Sequence, residues 1–103
     1  MNVIPHHTVL EFLNKLDDRE ASDVFRLIEM LKDRGHTLGM PLSKPVGKGL
    51  HELRTQGKPA FRLLYGFYNG EAVLLFAMKK QKSGLNPRDI KTALQRFNLH
   101  CSL

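Results

Sequence analysis

Glu52, Arg54, Arg62 and the lysines Lys79, Lys80 and Lys82 are the residues of this sequence whose types and spacing could do chemistry together. Glu52 and Arg54 alternate within Leu50-His51-Glu52-Leu53-Arg54, and Arg62 sits inside Phe61-Arg62-Leu63-Leu64-Tyr65. The reaction that suits them is metal-free cleavage of RNA. There the 2′-hydroxyl attacks the adjacent phosphate, and the site must supply a base, stabilise the crowded phosphorane and assist the 5′-oxygen as it leaves. Arg54 and Arg62 can clamp non-bridging phosphate oxygens in bidentate fashion, and the lysines add positive charge. Glu52 and His51 are the candidate bases, Glu52 the better placed because alternation puts it on the same strand face as Arg54. The plainer reading of Glu52 is an ion pair with Arg54 or Arg62, and that of the lysines a solvated strand end. No histidine is well placed as leaving-group acid, and His36 and His100 read as surface residues.

Strands must hold these groups. Leu50 to Thr55 reads as the first, and the runs Phe61–Tyr68 and Glu71–Met78 flank Asn69-Gly70, the dipeptide that favours a type I′ hairpin turn. Tyr68 then faces Glu71. A regular ladder puts Phe61, Leu63, Tyr65 and Phe67 with Ala72, Leu74, Phe76 and Met78 on one apolar face. The other face carries Arg62, Leu64, Gly66 and Tyr68 with Glu71, Val73, Leu75, Ala77 and Lys79. Arg62 is therefore expected opposite Ala77 and diagonal to Lys79, forming a shallow basic floor.

The apolar face needs cover, and the first third of the chain supplies it. Val9, Phe12, Leu13 and Leu16 recur at helical spacing from Thr8, and Asp17 and Asp18 end that helix and can cap a second. The second helix carries Ala21, Val24, Phe25, Ile28 and Leu31 on one side and stops at Gly35. Together they are expected to form a helical hairpin over the sheet. Residues 36–49, with Gly39, Pro41, Pro45, Gly47 and Gly49, read as a loop. Its Lys44 and Lys48 could meet phosphate beside free backbone N–H groups, although the spacing is not that of a Walker loop. Asn86-Pro87-Arg88-Asp89 opens a last helix with stripe Ile90, Ala93, Leu94 and Phe97, and Asn98 to Leu103 reads as a frayed tail. Lys44, Lys48, Lys82 and Arg88 are the candidate RNA contacts. Before the first helix there is room only for a brief edge strand around Val3-Ile4. His6-His7 lacks a third ligand, so no metal site is expected. The expected fold class is α+β: a single domain, 1–103, with a two-helix hairpin on a small antiparallel sheet of about three strands and a C-terminal helix.

Bulk properties narrow the partners. The net charge of +6 is uneven: residues 1–35 hold five Lys/Arg against seven Asp/Glu, and residues 36–103 hold eleven against three. The C-terminal two thirds thus suits a polyanion. The single cysteine, Cys101, excludes an internal disulfide. No apolar run is long enough to span a bilayer and no signal peptide opens the chain, so a cytoplasmic protein with no membrane association is expected.

The order of these pieces resembles the RelE/ParE toxin superfamily, most closely its HigB-like, phage-derived branch. The resembling residues are Gly49-Leu50, Glu52-Leu53-Arg54, Arg62 with Tyr65, Phe76, Lys79-Lys80, and Pro87 with Ile90 and Ala93, and the likeness runs over roughly residues 8–97. It implies the toxin of a type II toxin–antitoxin module, a ribosome-dependent mRNA endoribonuclease that needs no metal or other cofactor. Its partners are then the ribosome, mRNA and a cognate antitoxin of helix-turn-helix type. Arg54, Arg62, Lys79 and Lys80 match positions where that family places basic catalytic residues, and Tyr65 matches its strand tyrosine. Two departures stand out. The family usually opens with a full strand where this chain has only Met1 to Pro5, and the stretch from Lys80 to Pro87 is about two residues longer. Two other readings accompany this one: a non-catalytic RNA- or ribosome-binding module, and a ParE-like protein acting on gyrase.

Overall fold

The computed structural model describes residues 1–80 and 84–102. The Asn69-Gly70 turn forms as expected: both residues take positive φ, 52° and 73°, and Tyr68 pairs with Glu71. It joins β4 (Phe61–Tyr68) to β5 (Glu71–Lys79). Lys48-Gly49, with φ of 56° and 80°, makes the corresponding connection between β2 (Ser43–Gly47) and β3 (Leu50–Arg54).

The architecture departs from the expected helical hairpin on a three-stranded antiparallel sheet. Among the described residues the sheet is five-stranded and mixed, in the order β1-β5-β4-β3-β2. The first strand, β1 (Asn2–Pro5), runs parallel to β5. A four-residue segment carries too little periodicity to announce a strand; it forms because β5 offers an edge, and it brings Val3 into the core. β2 lies in what reads as a Gly/Pro loop. An edge strand tolerates Pro45 because only an outward N–H is lost.

Three helices cover the sheet. α1 (His7–Asn14) and α2 (Asp18–Arg34) lie on one face and share one core with its strands. His6 caps α1 through Nδ1, which accepts from the Thr8 N–H at 3.2 Å, and Asp17 and Glu20 close a capping box on α2. Their stripes bury Val9, Leu13, Val24, Leu27 and Leu31 against Leu53, Leu63, Tyr65 and Leu74. α3 (Pro87–Cys101) covers the opposite face, with Ala93, Leu94 and Phe97 over Leu50, Leu64, Val73 and Leu75. It begins as expected, on Asn86 and Pro87, but it does not fray at Asn98. The Tyr68 hydroxyl donates to the Cys101 carbonyl at 3.0 Å and ties the last turn to the sheet.

A bulge changes the faces of the central hairpin. Between Tyr65↔Leu74 and Leu64↔Phe76 the register slips and Leu75 is the extra residue. Arg62 consequently faces Met78, not Ala77, and Lys79 pairs with Phe61. Phe76 and Met78 join the α3 side instead of the α1/α2 core, while Lys79 leaves the face of Arg62. Arg96 holds the bulge: its Nη1 donates to the Leu75 carbonyl at 2.8 Å, and its guanidinium lies 5.3 Å from the centre of the Phe76 ring. Gly66 is not part of an open floor either. A Cβ there would sit 2.7 Å from the Phe97 ring, so glycine is what lets α3 come down onto β4.

Candidate active site

The sheet face under α3 is apolar at one end and charged at the other. Antiparallel pairing sets Arg54 opposite Arg62, a like-charge pair that destabilises a sheet unless a counter-ion intervenes. Glu52 is that counter-ion. Its Oε1 accepts from Arg54 Nε at 3.3 Å and lies 3.2 Å from Arg62 Nε. The second contact is ionic rather than an aligned hydrogen bond, since Arg62 Nε has no hydrogen-bond acceptor among the described residues. Glu52 is 1% exposed and Arg62 5%, whereas the Arg54 side chain is 30% exposed. The pairing that sequence reasoning kept open for Glu52 therefore forms with both arginines.

This arrangement differs from a shallow basic floor. Arg62 is a buried partner of Glu52, and Arg54 is the arginine with access to solvent. The other carboxylate oxygen, Glu52 Oε2, is buried with no hydrogen-bond partner among the described residues. Glu52 also lines a cavity of about 20 Å³, together with Leu42, Ser43, Lys44 and Arg54 among others, which matches one water in size. Lys44 is exposed and pairs with Glu52 across the β2–β3 ladder, so it stands on the same side. Lys48 is exposed in the β2–β3 turn and Arg88 in the first turn of α3. Lys80 follows the end of β5, where its N–H donates to Ala60 at 2.9 Å. Lys79 is exposed and belongs to the α1/α2 side by its pairing with Phe61. Lys82 lies outside the described residues.

His51 and Tyr65 occupy the opposite face of the sheet. Their rings stack at 5.3 Å, and Phe67 meets both edge-on. Burial, with a smaller contribution from His36, lowers the His51 pKa. Tyr65 shares a 2.6 Å hydrogen bond with Ser43, and burial raises its pKa. His51 is thus separated from the arginines by the thickness of the sheet, which leaves Glu52 as the base candidate on their side.

Sequence reasoning passed over three contributors. Arg96 was visible only as a charge bordering the α3 stripe. Ser43 sat in the presumed loop. His36, read as a surface residue, is exposed but lies 3.8 Å, ring to ring, from Phe67. Among the described residues no group of three or more His, Cys, Asp or Glu could hold a metal ion, and no helix is long and apolar enough to cross a membrane.

Fold and site together define a small basic α+β protein with a charged cluster at one end of a helix-covered sheet. The family model of phage-derived Gp49-like proteins matches residues 11–98. The chain belongs to that family, which is toxin-like in character. A search of curated proteins finds no match.

Proposed function

We propose that the chain is the toxin of a type II toxin–antitoxin module that cleaves mRNA on the ribosome without a metal. The observation that carries the reading is the charged end of the α3 face. There a solvent-accessible Arg54 and Lys44 flank a buried carboxylate, Glu52, that lines a water-sized cavity and has one oxygen without a hydrogen-bond partner among the described residues. In this reading Glu52 takes the proton of the 2′-hydroxyl on a carboxylate oxygen, directly or through a water admitted to that cavity. The 2′-oxygen bonds to phosphorus, and the bond to the 5′-oxygen breaks, leaving a 2′,3′-cyclic phosphate. The 5′-oxygen takes a proton from Lys80 or from solvent. Arg54 neutralises the non-bridging oxygens as negative charge builds on them. Arg62 acts through Glu52: its buried guanidinium, 3.2 Å from Oε1, orients the carboxylate. Lys44, Lys48 and Arg88 guide the RNA backbone, and a cognate antitoxin protein silences the activity. Membership of a toxin-like family supports the module.

One feature favours a second reading, a basic RNA- or ribosome-binding module that does not cut. Glu52 and Arg62 neutralise each other, as a purely structural pair would. The deciding experiment induces the chain in cells and maps mRNA 5′ ends by primer extension on ribosome-bound message, for wild type and Arg54→Ala. Cleavage by the wild type and a loss of about 30- to 1000-fold in the variant, with an unchanged circular dichroism spectrum, supports the enzyme. Ribosome association without new 5′ ends supports the binding module instead.

A further inference from the structure

The charged cluster uses only one margin of the α3 face; the other margin is an open groove. Val46 from the end of β2 and Pro87, Ile90 and Leu94 from α3 form its floor, and Lys48 and Lys91 stand on its rim. Its volume is about 620 Å³. Val46, Ile90 and Leu94 are only half-buried, both lysines are exposed, and no carboxylate lines the groove. Residues 87, 90, 91 and 94 fall on one side of α3 at spacings of three and four, so they present a helical ridge beside the β2–β3 turn.

We infer that this groove receives an acidic amphipathic helix from a protein partner. The chemistry is complementary on both counts: apolar residues at helical spacing fill the floor, and flanking carboxylates meet Lys48 and Lys91. A helix is favoured over an added strand because the outward positions Ser43 and Pro45 on the neighbouring sheet edge have no free amide to offer. Arg54 N–H donates to the Leu42 carbonyl, so Leu42 and Lys44 point inward to β3 and Ser43 and Pro45 point outward. The Ser43 N–H is already bonded to Gly39 at 3.1 Å, and Pro45 has none. The inference rests on the toxin reading only for the identity of the supplier, an inhibitory partner whose helix would also cover Lys48 and so contest the RNA path.

The test is a display selection against the whole chain. The library consists of amphipathic helical peptides of about 15 residues whose polar face is Glu-rich, Gln-rich or Lys-rich. The expected result is enrichment of Glu-rich peptides whose affinity falls at least about tenfold on Leu94→Arg. The same peptides should weaken similarly on the exposed pair Lys48→Glu and Lys91→Glu, which reads the rim even if Leu94→Arg fails to fold. Enrichment of Gln- or Lys-rich peptides, or Glu-rich binders indifferent to the double lysine variant, overturns the proposal. So does a groove that binds single-stranded RNA oligonucleotide through both lysines while yielding no peptide. Primer extension on the same protein separates the two readings. Peptide binding without mRNA cleavage leaves the groove standing and removes the toxin activity, and cleavage without groove-directed peptides does the reverse.

Discussion

The two faces of the sheet solve the burial problem differently. The α1/α2 face is packed with aliphatic and aromatic side chains, and its buried polar groups are matched locally: Ser43 shares a hydrogen bond with Tyr65, and Thr55 accepts from the Phe61 N–H, with His51 half-buried beside Tyr65. The α3 face is divided. One end is closed by Phe97 on Gly66 and by Arg96 on the bulge, and the other carries three charges, two of them almost fully removed from water. Buried ion pairs add little net stability, because desolvation offsets the attraction. An apolar replacement of similar volume often holds a fold as well, so stability alone does not account for charges buried at one end of one face. The first face is closed by packing; the second combines packing with the candidate site.

The largest test of this contrast is Glu52→Ala. It leaves Arg62 buried and facing Arg54 with no counter-ion, and we expect a loss of about 3–5 kcal/mol in urea unfolding. Glu52→Gln, which keeps the shape and one acceptor, should lose less. A cost below about 1 kcal/mol for the alanine variant would make the cluster a surface feature and erase the distinction between the faces. On the apolar face, Leu63→Ala should cost about 2–5 kcal/mol, since Leu63 is wholly buried. Leu94→Ala, half-buried beside the open groove, should cost clearly less. Equal values in chemical denaturation would mean that α3 closes its face as completely as α1 and α2 close theirs.

Smaller effects sharpen the picture. Gly66→Ala inserts a methyl group against the Phe97 ring and should cost about 1–3 kcal/mol. Combining it with Phe97→Leu should recover part of that loss if the ring contact is the cause. The smallest effect is a pH dependence carried by the α1/α2 face. His51 has its pKa lowered from 6.5, first by burial and then by His36, so the unfolded chain binds more protons as pH falls below that value. The sign follows: its contribution to stability is complete above about pH 6.5 and declines on acidification until the folded-state pKa is passed. Half-buried His6, lowered by burial and by Arg96, acts in the same direction. Thermal melts between pH 8 and 5 should show this decline with a shallower slope in His51→Gln; an unchanged slope assigns the effect elsewhere.

Local chemistry was legible in the amino-acid sequence. Asn69-Gly70, the Asp17 cap, Gly35 and Asn86-Pro87 act through backbone geometry that neighbouring residues dictate, and each forms where its residues call for it. The alternation of β3 likewise put Glu52 and Arg54 on one face before any partner was known. Tertiary structure decided the rest. β1 exists only because β5 has an edge to fill, and β2 only because a Pro at a sheet margin sacrifices no hydrogen bond within the ladder. The bulge at Leu75 turned Phe76 and Lys79 to the opposite sides from those a regular ladder assigns, and its support comes from Arg96 on a helix many residues away. A single slipped residue reverses every side chain beyond it, and no nearest-neighbour pattern records the slip. Arg62 is therefore buried against Glu52 rather than laid open beside Ala77, a fate set by long-range packing.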